Sequence, residues 1–136
     1  LAGRGVVVNR EVQVRRGRVG IGERLDLRID AVSDDPAAAP LSLPIEVKGA
    51  WNRELFSSLP TQLADRYMRD LNASEGIYLV VWPDIASWSN DPGRTVVSNL
   101  DRAAVLDELH RQADALGERR NVSVVVLDTS LARLQD

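Results

Sequence analysis

The chain changes hydrophobic period part-way along. "VVVNREVQVRR" (6–16) interleaves β-branched and polar residues, the pattern of a strand. The glycines of "GRVGIG" (17–22) predict a turn. "RLDLRIDAV" (24–32) alternates cleanly, with Leu25, Leu27 and Ile29 facing one way and Asp26, Arg28 and Asp30 the other. "SDDPAAAP" (33–40) is a loop by its prolines and acids, and "LPIEVKG" (43–49) is a short strand bounded by Pro44 and Gly49. The period then lengthens. "LPTQLADRYMRDLNA" (59–73) sets Leu59, Leu63, Tyr67 and Leu71 at helical spacing, with Pro60 near the start and Thr61 as cap. "GIYLVVW" (76–82) and "NVSVVVLD" (121–128) are apolar runs, the mark of strands buried on both faces. Between them "SNLDRAAVLDELHRQADALG" (98–117) reads as an amphipathic helix capped by Ser98 or Asn99 and stopped at Gly117. "SLARLQ" (130–135) reads as a short terminal helix, Trp82 and Trp88 as core or loop anchors, and His110 as a surface residue.

The order β-β-β-α-β-α-β predicts an α/β domain. Three antiparallel strands lead into strand–helix–strand crossovers, which suits a mixed sheet with helices on its faces. At 136 residues the chain is expected to form one domain, 1–136, around one core. It begins at Leu1 rather than Met, so a piece of a longer protein is expected.

Composition narrows the chemistry. Apolar content of 44% and charged content of 27% are those of a soluble globular domain. With no cysteine and one histidine, a disulfide framework, a thiolate zinc site and a histidine cluster are excluded. No apolar run approaches the roughly 18 residues of a membrane span, and no signal peptide is visible, so a cytoplasmic location is expected. Net charge is −3 but uneven: residues 1–30 carry seven Arg against four acids, residues 61–136 eight Arg against twelve. Proteins that grip nucleic acid unaided are usually basic overall. Any such contact is therefore expected on the Arg-rich N-terminal side, or with help from other domains of the same longer chain.

Sixteen of the seventeen basic side chains are arginine; the exception is Lys48. If codon bias exchanges Lys for Arg wherever they are equivalent, a surviving Lys marks a place where they are not. Its slim point charge differs from a planar fork. Glu46 shares its strand face, while Ile45 and Val47 are expected to point into the core. The preceding strand offers Asp26, with Asp30 as rival; the longer spacing to Glu46 favours Asp26. Paired, the two strands bring an Asp, a Glu and a Lys together. Adjacent carboxylates repel, and a hard divalent cation resolves the repulsion. Mg²⁺ keeps several waters, which would place an acidified water beside an ammonium, an arrangement suited to attack on a phosphodiester. The plainer reading is an exposed strand face with weak cross-strand ion pairs.

Asp26, then Glu46-Val47-Lys48 after a hairpin, then a helix with "QLADRY" (62–67) and a buried strand, resembles the PD-(D/E)xK superfamily of restriction-endonuclease-like nucleases. "IEVKGAWNRELFSSLPTQLADRYM" is similar in particular to nuclease domains appended to large bacterial multidomain proteins, some of them defence NTPases. The resemblance covers roughly residues 10–128. It implies a three-layer fold, a central mixed sheet flanked by helices. It implies Mg²⁺ or Mn²⁺ held by Asp26, Glu46 and the Val47 carbonyl, with Lys48 positioning the attacking water. Gln62 would reach the site from the helix, its plainer reading being a polar helix position, and Tyr67 either helps there or packs in the core. The substrate implied is DNA rather than RNA; whether two copies pair to cut both strands stays open. Two features depart from the superfamily. The superfamily often has an acid-bearing helix before the first strand, and with only ten residues ahead of Glu11 that helix lies upstream of Leu1 or is missing; Gln62 and Tyr67 stand five apart rather than four. Trp51 is either packed on the helix or a base-stacking platform. The alternative function is a nuclease-like fold without turnover, serving nucleic-acid binding or protein assembly.

Overall fold

A computed structural model describes residues 5–16, 22–84 and 96–129; the turn at 17–21, Trp88 and the terminal helix at 130–135 lie outside the described residues. The element order is the expected one. Strands β1 (Val6–Arg16), β2 (Gly22–Ala31) and β3 (Leu41–Gly49) come first. Helix α1 (Leu59–Met68), β4 (Glu75–Trp82), α2 (Arg102–Asp114) and β5 (Asn121–Asp128) follow. The five strands form one mixed sheet in the order β1-β2-β3-β4-β5. β1–β2 and β2–β3 pair antiparallel, β3–β4 and β4–β5 parallel.

The helices differ in detail from their sequence signals. α1 is wound as a π-helix, a wide form that is rare and concentrated at functional sites. In the turn that follows it, the left-handed backbone of Asn72 (φ 51°) lets the N–H groups of Asn72 and Ala73 close on the carbonyls of Arg69 and Met68. α2 begins later than expected. Its cap is neither Ser98 nor Asn99 but Asp101, whose carboxylate accepts from the N–H of Ala103 at 3.1 Å. Thr61 is not a cap either; its hydroxyl donates back to the Ser57 carbonyl at 2.6 Å.

Among the described residues both helices cover the same face of the sheet. The crossovers β3–α1–β4 and β4–α2–β5 step in the same direction, and a constant crossover hand then keeps both helices on one side. Leu59, Leu63, Ala64 and Met68 of α1 meet Val105, Leu109 and Ala113 of α2 over Tyr78, Val80 and Trp82 of β4 and Val122 of β5. The expected helices on both faces are thus seen on one. The opposite face, with Ile77, Leu79, Val125 and Leu127, has no described helix over it, and Val125 and Leu127 are exposed.

This corrects the expected facing of β3. Parallel partners share a sheet face, and Glu46 is paired with Tyr78 and Lys48 with Val80. Glu46 and Lys48 therefore stand on the helix-covered face, beside the main core, and Ile45 and Val47 on the other. Strand alternation shows which side chains go together, whereas the crossovers choose the face that is covered.

The sheet also contains a fork. β2 pairs with β3 only from Leu27↔Ile45 to Ala31↔Leu41, while β1–β2 continues to Arg16↔Gly22 and β3–β4 to Gly49↔Val81. Past Leu27 and Ile45 the two central neighbours part. Asp26 and Glu46 stand at that opening.

Candidate active site

Asp26 occupies the fork. Its carboxylate accepts a hydrogen bond from the Val47 N–H at 2.8 Å, taking the place of the β2 carbonyl that a continued ladder would supply. A strand residue sends its N–H and C=O to the same edge. The Val47 carbonyl therefore also points toward the fork, as expected of a third donor. Continuing the Leu27↔Ile45 register sets Asp26 opposite Glu46, on one sheet face. Asp30 is excluded by the same register. It lies opposite Ser42 and is held by the Ser42 hydroxyl at 2.6 Å and the Arg28 guanidinium at 2.8 Å. Burial works to raise the Asp30 pKa, but these bonds outweigh it and hold the carboxyl below its ordinary value.

Glu46 is buried, with 3% of its surface exposed. One oxygen, Oε1, lies 3.0 Å from Lys48 Nζ; the other, Oε2, is buried with no hydrogen-bond partner. Such an orphan is costly in a folded protein, and a bound water or ion is one way to satisfy it. Burial, and after it the negative charge of Asp26, pushes the Glu46 pKa up from 4.5 to about 7, with Lys48 opposing and Glu54 adding to the rise. Asp26 and Glu46 thus stand within electrostatic reach of each other.

Lys48 is nearly as enclosed, its side chain 12% exposed. It lies between two acids: Glu46, and Glu54 at 3.8 Å on the loop leading into α1. The floor is polar as well. Tyr78, the ladder partner of Glu46, donates from its hydroxyl to the Leu55 carbonyl at 2.7 Å, and Ser58 is fully buried. Burial first and the Glu46 charge second raise the Tyr78 pKa, so the phenol stays protonated.

Asp26, Glu46, Val47 and Lys48 are therefore gathered at one opening of the sheet. Gln62 is not joined to them: half-buried on α1, it makes no hydrogen bond to Glu46 or Lys48. Tyr67 is buried. Trp51 lies across Gly49, so close that a Cβ there would come within 2.4 Å of the indole, yet the ring is 38% exposed. Strand alternation puts that contact on the sheet face away from Lys48. Sequence reading missed Glu54, Ser58 and Tyr78. Only Tyr78 left a signal, a hydroxyl within the apolar run "GIYLVVW".

Among the described residues no group of three or more acids or histidines could hold a metal ion. The donors that fit a cation are two carboxylates and a main-chain carbonyl, a hard oxygen set of the kind Mg²⁺ takes together with waters. The unpartnered Glu46 oxygen is the observation that fits a cation there. Compared with known protein families, curated proteins and solved structures, the chain matches none.

Proposed function

We propose that this domain is a divalent-metal-dependent nuclease that hydrolyses phosphodiester bonds, with DNA as substrate. The observation that carries the reading is Glu46: a buried carboxylate with an orphaned oxygen, next to the only lysine of the chain and at the mouth of a fork held by Asp26. Asp26, Glu46 and the Val47 carbonyl would hold Mg²⁺ or Mn²⁺. When bound, the ion supplies water acidification and charge neutralisation at the scissile phosphate. Lys48 orients the attacking water through its ammonium and stabilises charge that develops on the phosphate oxygens. Its enclosure restricts it to a narrow set of positions, which such a role requires. Gln62 is left out of this mechanism.

The preference for DNA rests on the resemblance to restriction-endonuclease-like enzymes, as does a role as effector domain of a larger bacterial defence protein. Five arginines of the Arg-rich N-terminal part, Arg10, Arg15, Arg16, Arg24 and Arg28, belong to β1 and β2, the pair of strands that carries Asp26, and this supports a nucleic-acid contact on that side. A second reading, a non-cutting binding or assembly module, is favoured by one observation: Lys48 already neutralises one Glu46 oxygen without a metal. Incubation with plasmid and linear DNA separates the two. Cleavage is expected with Mg²⁺ or Mn²⁺, none with EDTA, and none from Glu46→Ala. Cleavage that survives either EDTA or Glu46→Ala would refute the nuclease site, and no cleavage under any condition would favour the module.

A further inference from the structure

Lys48 poses a problem for the site just described. An ammonium 3.0 Å from Glu46 Oε1 competes with any cation for the same carboxylate. We propose that Glu54 solves it as a positioning residue: it takes a share of Lys48, so that Glu46 can accept a metal ion while the ammonium stays in place. This rests on the metal-site reading above.

The geometry supports that role. Glu54 Oε2 lies 3.8 Å from Lys48 Nζ, so the ammonium has a carboxylate on either side. The backbone of Glu54 is firmly tied. Its N–H donates to Asn52 Oδ1 at 2.8 Å, and its carbonyl accepts from the N–H groups of Ser57 and Ser58 at 3.1 and 3.0 Å. The next residue, Leu55, is buried in the core and receives the Tyr78 hydroxyl. The side chain beyond this anchor is half-exposed and keeps room to follow the ammonium. A fixed base with a movable carboxylate suits a group that receives Lys48 when a cation arrives at Glu46. Charge points the same way. Without Glu54, Lys48 would have Glu46 as its one close acid among the described residues, and the pair would close on itself.

The test is Mn²⁺ binding to the full chain at pH 8, read by electron paramagnetic resonance and calorimetry, with no nucleic acid present. Five proteins are compared: wild type, Glu54→Gln, Glu54→Asp, Lys48→Met and the Lys48→Met/Glu54→Gln double variant, each checked for native circular dichroism. Glu54→Gln is expected to weaken Mn²⁺ binding about tenfold, within the range of coupling between contacting charged neighbours. Glu54→Asp is expected to restore most of it. In the Lys48→Met background the Glu54→Gln change should have no further effect, because the residue it acts through is gone. Equal weakening in both backgrounds would overturn the inference and make Glu54 a ligand or a general source of negative charge. An unchanged affinity in Glu54→Gln would overturn it too. A wild type that takes up no Mn²⁺ would instead sink the metal site itself, and this inference with it.

Discussion

Replacing Glu46 by glutamine should make the metal-free protein gain stability relative to wild type as pH rises. The carboxyl titrates near pH 7 in the fold against 4.5 ordinarily, because burial and Asp26 disfavour its charge. The folded chain therefore holds this proton more tightly than the unfolded chain. Below about pH 4.5 both states carry it and its contribution is complete. As pH climbs, the unfolded chain releases it first and stability drains away, until the folded carboxyl also titrates near pH 7 and the loss levels off. At about 1.4 kcal/mol per pKa unit, the full loss is about 3 kcal/mol, of which about 2 falls between pH 5.5 and pH 8. Glutamine has the same shape and no proton to exchange. The ion pair with Lys48 does not alter this slope, because its opposing pull is already contained in the folded value near 7. Urea unfolding of both proteins in EDTA at several pH values in this window gives the difference directly. A wild-type-minus-variant difference that stays flat across the window would refute the account of Glu46 as a buried, charge-averse carboxyl.

Three further outcomes follow from the same geometry. Lys48→Arg should fold, by circular dichroism, but lose about 100-fold or more of Mg²⁺-dependent plasmid cleavage, since a planar fork cannot stand where an enclosed point charge does; wild-type cleavage would remove the ammonium from the mechanism. Asp26→Asn keeps an oxygen for the Val47 N–H and should stay near wild-type stability, while Asp26→Ala leaves that donor unmet and should cost about 1–3 kcal/mol in urea unfolding. The Asn variant should also bring the Glu46 titration, followed by carbon-13 NMR, down toward the ordinary carboxylate value, because the charge of Asp26 helps to raise it. Gly49→Ala should cost about 1–3 kcal/mol, because the new methyl meets the Trp51 indole; in a Trp51→Ala background the same change should cost little.

Much of the architecture could be read from local pattern. The clean alternation of residues 24–32, the apolar runs at 76–82 and 121–128 and the helical spacing from Leu59 to Leu71 each report a period, and the elements formed where those periods are. The pairing of Glu46 with Lys48, and the place of Asp26 rather than Asp30 beside Glu46, was also legible, because strand alternation and spacing to Glu46 decide it. What failed depends on the third dimension. Ile45 and Val47 read as core-facing by being apolar, and Ile45 is indeed buried, yet two crossovers stepping the same way laid the helices over Glu46 and Lys48 instead. Gln62 is half-buried on the π-wound α1, and helical spacing alone does not say which way it faces. Glu54 and Ser58 lay in a stretch with no period, and only the route of that loop over β4 brings them to Lys48 and Tyr78. The start of α2 went to Asp101 because a carboxylate there reaches a helix N–H, a choice that depends on backbone angles.

The parting of β2 from β3 has one more consequence. The outer two strands join the rest of the sheet along Leu27–Ala31, and at the upper end of that seam a single carboxylate, Asp26, ties them to Val47. Unzipping that begins there would swing β1 and β2 away as one flap, leaving β3, β4 and β5 with their helices intact. The earliest breach of the fold and the dismantling of the candidate site would then be the same event.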